Sequence, residues 1–211
     1  HFKNPHENRK QKFSTCILQY LKSGYILLKI LQNKKVDNNK KAILCSAYFA
    51  IDDELSKLGF EVYSPSWYFK KDSNIIPNLS LFNSSKKILA TLNSSNFRNL
   101  LTPNFMSQID EFEKIVVKAF QKNKIQALIV SNDMTFIDRI LIDVSKKLKI
   151  PSFIFQHGFP ARFNFIDDNR TDYLITWGEK LKENYIKAGF NKDKIIVSGH
   201  PYYKLKVDSP L

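Results

Sequence analysis

Gln156-His157-Gly158 places an imidazole directly after the apolar run Ser152-Phe153-Ile154-Phe155 and directly before a glycine. A histidine at the carboxyl end of a buried strand can present its ring, or the neighbouring amides, to a phosphate or a hydroxyl. The plainer alternative is a bond to a loop carbonyl that holds the turn closed. Ser131-Asn132-Asp133 follows the apolar run Ile125 to Val130 in the same way. Asp133 is a candidate general base or an anchor for a sugar hydroxyl; alternatively Asp133 and Asn132 cap the helix that begins just after them. Beyond the histidine, Arg162 and Arg170 stand among Asp167 and Asp168. Arginines there suit a phosphate clamp, although mixed charges in a loop are usually just solvated. His200-Pro201 follows the last apolar run and reads as the exit from the domain. Four of the six glycines, Gly158, Gly178, Gly189 and Gly199, lie in this last third, three of them after predicted strands. Glycine at a strand end allows a sharp turn or the close approach of a ligand.

Several chemistries have no support. The chain has no GxGxxG or Walker loop, so no dinucleotide or P-loop cofactor is expected. It also lacks HExxH, GxSxG and an EF-hand loop. Cys16 falls in a helical pattern and Cys45 in a strand pattern, without CxxC or matched histidine spacing, so neither a disulfide framework nor a metal site is indicated. The formal net charge of +13 points to an anionic partner or to a lysine-coated surface. The tyrosines and phenylalanines recur at core spacing and form no base-stacking platform, so no specific nucleic acid is expected. No stretch has the roughly 18 apolar residues of a membrane span, and the terminus lacks a signal-peptide layout, which together predict a cytoplasmic protein. A start at His1 suggests a trimmed beginning.

The elements that must position these residues follow from periodicity. A composition of 43% hydrophobic and 13% aromatic residues is ample for a packed core. Residues 1–40 read as a helical extension, with Phe13, Ile17, Leu21, Leu28 and Leu31 on an apolar stripe and Lys22, Lys29, Lys34 and Lys35 around it. Such a basic amphipathic helix either packs against its own domain or lies on an anionic membrane surface. Strands are predicted near 42–46, 60–64, 125–130, 152–156, 173–177 and 194–198, with helices over 51–58, 105–123, 136–148 and 179–188, the last closed by Gly189 as a left-handed cap. Residues 64–104, rich in Ser and Asn, read as a long excursion of loops with one helix near 88–101. Strand, helix and strand across 125–156 form a βαβ unit whose parallel strands end on one edge. Asn132-Asp133 and Gln156-His157 should therefore face one crevice. The predicted class is α/β: a Rossmann-like, doubly wound parallel sheet with helices on both faces, preceded by an N-terminal helical extension.

The run IPSFIFQHG, a variable loop, and then TDYLITWGEKLKENYIKAGFNKDKIIVSGHP resembles the end of the N-terminal domain in bacterial GT-B-fold glycosyltransferases. Surface and capsular polysaccharide enzymes and CDP-glycerol glycerophosphotransferases are the nearest likeness; UDP-sugar 2-epimerases share the layout. The resemblance implies an acceptor-side Rossmann-like domain over 41–203 and the start of an interdomain linker over 204–211, with a nucleotide-activated donor bound mainly by a C-terminal domain that is absent. It implies a glycan or polyol-phosphate acceptor and peripheral contact at the inner face of the membrane. His157 and Asp133 become the catalytic candidates, with Gln156, Gly158, Asn132, Arg162, Glu179 and His200 as the substrate-binding set. The alternatives are an epimerase half of the same fold and a non-catalytic module that binds a polyanion or glycan.

Overall fold

The structure is a computed structural model that describes residues 20–31, 40–47, 51–67, 74–94, 100, 102–156, 158 and 170–201. His157, Arg162, Asp167, Asp168 and Cys16 lie outside the described residues, as do Phe13, Ile17, Lys34 and Lys35 of the predicted N-terminal stripe.

Helix α1 occupies residues 20–31. Strand β1 (Ala42–Cys45), helix α2 (Asp52–Lys57), β2 (Glu61–Ser64), β3 (Asn74–Ile75), α3 (Leu79–Ser94) and α4 (Pro103–Lys122) follow. The chain continues through β4 (Ile125–Val130), α5 (Phe136–Lys147), β5 (Ser152–Phe155), β6 (Tyr173–Thr176), α6 (Glu179–Lys187) and β7 (Ile195–Val197). The strands form one sheet in the order β3-β2-β1-β4-β5-β6-β7, and every neighbouring pair is parallel. The βαβ unit read from the sequence is present, with Leu128 opposite Ser152 and Val130 opposite Ile154.

The sheet runs outward from β1 to β3, returns to the other side of β1, and runs outward again from β4 to β7. Right-handed crossovers then place α2 on one face and α3 to α6 on the other. Successive strand residues point to opposite faces, and the core divides accordingly. Ala42, Leu44, Leu128, Val130 and Ile154 pack with Leu81 and Ile88 of α3, Phe112 and Val116 of α4, Leu141 of α5 and Tyr185 of α6. Ile43, Cys45, Ile129 and Phe155 pack with Ile51 and Leu55 around α2. The doubly wound Rossmann-like α/β class is therefore observed.

Local chemistry sets the boundaries. Thr102 accepts the Phe105 N–H at 3.3 Å, with Pro103 in the first helical turn, so α4 starts where a hydroxyl satisfies an orphan amide. Gly189 ends α6 at φ +102°, a left-handed turn that a side chain would strain.

Two expectations need correction. The excursion over 64–104 contains a further strand, β3, and a helix that starts at Leu79, ahead of the predicted 88, and is described to Ser94. Two-residue β3 has no periodicity of its own and exists only through pairing with Tyr63 and Ser64. In α1 the side chains turned inward are Ile26 and Ile30, which pack with Ile75 and Phe82. Leu21, Leu28 and Leu31 of the predicted stripe are 68%, 56% and 68% exposed. No helix among the described residues is long and apolar enough to cross a membrane.

Candidate functional site

In an open parallel sheet the ligand crevice lies beyond the carboxyl ends of the strands, where the strand order reverses. Here the reversal falls between β1 and β4. The crevice is bounded by Ser46 and Ala47 after β1 and by Ser131 to Thr135 after β4. Ser46 N–H donates to the Ile129 carbonyl at 2.8 Å, and Ser131 Oγ donates to the Ser46 carbonyl at 3.1 Å. These bonds tie the two strand ends together.

Asn132 and Asp133 do not cap α5. Thr135 is the N-cap: its Oγ1 accepts the Asp138 N–H at 3.1 Å and donates to Asp138 Oδ2. Asn132 Oδ1 instead accepts the N–H groups of Met134 and Thr135 at 3.1 and 3.2 Å, which folds the loop into an Asx-type turn ahead of the helix. Asp133 is fully buried. Its Oδ2 accepts the Arg170 N–H at 2.9 Å, with the Arg170 guanidinium 3.9 Å from the same oxygen, and its carbonyl accepts from Arg139 Nε at 3.3 Å. Arg170, three residues before β6, is thereby fixed to the loop that follows β4.

Asp138 was not singled out in the sequence, where Thr135-x-x-Asp138 reads as ordinary helix capping. The fold buries this carboxyl. Burial raises its pKa to about 6, partly offset by hydrogen bonds from Thr135 and Ser46, with the neighbouring Asp133 charge adding a further upward push. The crevice thus carries a carboxyl that exchanges its proton close to neutral pH, a property suited to acid–base work.

The other candidates lie along the same edge. Gln156 is buried between the ends of β5 and β6. Its Nε2 donates to the Gly158 carbonyl at 2.9 Å and its Oε1 accepts the Trp177 N–H at 3.4 Å, while Trp177 Nε1 donates to the Gln156 carbonyl at 2.9 Å. A Cβ built at Gly158 would meet nothing within 4 Å among the described residues. Glu179 is exposed in the first turn of α6. His200 packs edge-on against Trp177, with ring centroids 4.3 Å apart. The structure brings Asn132, Asp133 and Asp138 together after β4, and Gln156, Gly158, Trp177 and His200 together after β5, β6 and β7. Among the described residues, no cluster of three or more His, Cys, Asp or Glu side chains could hold a metal ion.

No protein-family model matches the chain, and no curated protein matches it.

Proposed function

We propose that the chain is the acceptor-side half of a GT-B-type transferase, which moves a nucleotide-activated sugar or polyol phosphate onto a cell-surface polysaccharide. The observation that carries this reading is the chemistry of the β1/β4 crevice. Ser131 and Asn132 offer hydroxyl and amide groups on the loop that leads to Asp138, whose proton affinity is shifted toward neutrality. The segment after β1 begins Ser46-Ala47-Tyr48 and has no glycine-rich phosphate loop, so the crevice suits a hydroxylated acceptor better than a pyrophosphate. Asp138 and His157 are the acid–base candidates, and Asp133 anchors Arg170 to the loop after β4. The same reading has the domain working at the cytoplasmic face of the membrane, with peripheral contact through the basic N-terminal helix.

Ligand-observed NMR tests this with short glycerol-phosphate oligomers, neutral oligosaccharides, and CDP- and UDP-linked compounds. Expected are binding of at least one acceptor oligomer and a loss of roughly tenfold or more in Ser131→Ala and Asn132→Ala, the scale of one or two lost hydrogen bonds. Thermal melting of each variant checks that the fold is kept. If the nucleotide compounds alone bind, or no oligomer binds, the acceptor-side reading fails.

A further inference from the structure

Helix α1 is apolar on two sides. Ile26 and Ile30 are buried against Ile75 and Phe82, with Leu27 packed beside them. Leu21, Tyr25 and Leu28, at positions i, i+4 and i+7, form a second stripe that faces outward at 68%, 40% and 56% exposure, flanked by Leu31 at 68%. A helix that only had to pack on its own domain would carry polar residues there.

The charges on this edge are equally one-sided. Helix α1 carries Lys22 and Lys29, and α3, which packs against it, carries Lys86 and Lys87; neither helix contains an Asp or Glu. The other long helices are mixed: Asp110, Glu111 and Glu113 balance Lys114, Lys118 and Lys122 on α4, and Asp138 and Asp143 accompany the basic residues of α5. Lys22 and Lys29 are seven residues apart, so both lie along one border of the exposed stripe. Lysines at the border of an apolar face can bury their stems while their ammonium groups reach an anionic layer. A groove of about 540 Å³ between α1 and α3, lined in part by Lys22, Lys86, Trp67 and Leu89, continues the same basic and apolar character inward.

We propose that the outer face of α1, with the acid-free edge it shares with α3, docks on an anionic lipid surface. Leu21, Tyr25, Leu28 and Leu31 enter the interface, and Lys22, Lys29 and Lys86 face the headgroups. Helix α1 then lies in the membrane plane, with Ile26 and Ile30 kept against the domain and the opposite stripe toward the lipid. The apolar stripe supplies area, and the absence of acids removes the repulsion that a mixed surface would meet at a negatively charged layer. This inference rests on the peripheral contact named under the proposed function and specifies its face; the test contains no acceptor or donor, so its failure is distinguishable from failure of the transferase reading.

The test is co-sedimentation of the full chain with vesicles of phosphatidylcholine alone or mixed equally with phosphatidylglycerol. Binding is expected on the anionic vesicles and weak or absent on the neutral ones. Leu21→Ser/Leu28→Ser should lower partitioning by tenfold or more, and Lys22→Gln/Lys29→Gln by about fivefold for each lysine. Lys146→Gln/Lys147→Gln removes the same charge from α5, away from this edge, and should change binding less than twofold. Circular dichroism melting shows whether each variant is folded. Equal binding to neutral vesicles, equal losses in the α1 and α5 lysine variants, or an unaffected leucine variant would overturn the proposal. So would the absence of vesicle binding together with a dimer, seen by analytical ultracentrifugation, that Leu21→Ser/Leu28→Ser dissociates.

Discussion

Helix α4 buries Phe105, Phe112, Val116, Ala119 and Phe120 and sends Asp110, Glu111, Lys114 and Lys118 outward, whereas α1 buries Ile26 and Ile30 and sends Leu21, Leu28 and Leu31 outward. Both are apolar on the side that meets the domain. They differ in what they offer to the outside, and that difference separates a helix whose only task is packing from one with a second surface to satisfy. Periodicity reports the first kind faithfully, because a single apolar stripe fixes which way the helix must face. In the second kind two stripes compete, and the neighbouring elements decide which one goes inward.

The contrast breaks most sharply at Phe112. This ring is fully buried and meets Trp67 edge-on at a centroid distance of 5.9 Å. Phe112→Ala removes the ring from the middle of the larger cluster, and urea unfolding should show a loss of about 3–5 kcal/mol. A loss below about 1 kcal/mol would mean that α4 is not the packed wall of the sheet, and the comparison with α1 would lose its reference.

A second effect, intermediate in size, belongs to the crevice. The pKa of Asp138 in the folded protein is about 6, above its ordinary value of 3.8. Below pH 4 the carboxyl is protonated in both folded and unfolded chains and contributes no pH dependence. As the pH rises from 4 to 6 the unfolded chain releases its proton while the folded chain holds on, so stability falls across that window and the deficit is complete above pH 6. The deficit is on the order of 3 kcal/mol. Asp138→Asn keeps an oxygen to accept from Thr135 and removes the titration. Relative to the parent, the variant should gain stability progressively between pH 4 and 6 and then hold a constant advantage. A stability difference that does not change with pH would show that the carboxyl is not held out of water. Substitution of Asp133 does not serve as the same test, because that carboxylate is tied to Arg170 and its loss would release the segment leading into β6.

The parts of the fold that were legible share one property: their signals are local. The helix over Pro103–Lys122 carries its own Thr-Pro start and a single apolar face, and β4, α5, β5, β6, α6 and β7 alternate as short apolar runs and one-sided helices. Strand β3 was invisible because its two residues become a strand only beside Tyr63 and Ser64. Helix α3 was misplaced because Asn78, whose Oδ1 accepts the Leu81 N–H at 2.9 Å, starts it inside a Ser- and Asn-rich stretch that looks like loop throughout. At the crevice, the placement of Asn132 and Asp133 and of Gln156 at the carboxyl ends of adjacent parallel strands followed from topology alone. The pairing of Asp133 with Arg170, 37 residues away, did not, nor did the perturbed proton affinity of Asp138. That affinity comes first from burial, which only the closed sheet creates, while the hydrogen bond from Ser46 at the end of β1 partly opposes it.

The smallest expected effect is the most specific to α1. Leu28 is 56% exposed and belongs to none of the buried clusters. Leu28→Ser should therefore change unfolding free energy by no more than about 0.5 kcal/mol, as surface substitutions do, with part of any loss coming from the lower helix propensity of serine. Ile30→Ser, on the opposite side of the same helix, places a hydroxyl against Ile75 and Phe82 and should cost several times as much. Hydrogen exchange over residues 20–31 reads both variants at the helix itself. Protection should persist in Leu28→Ser and fall in Ile30→Ser. If the two behave alike, Leu28 is covered in solution even without lipid, and α1 has one buried surface instead of two distinct faces.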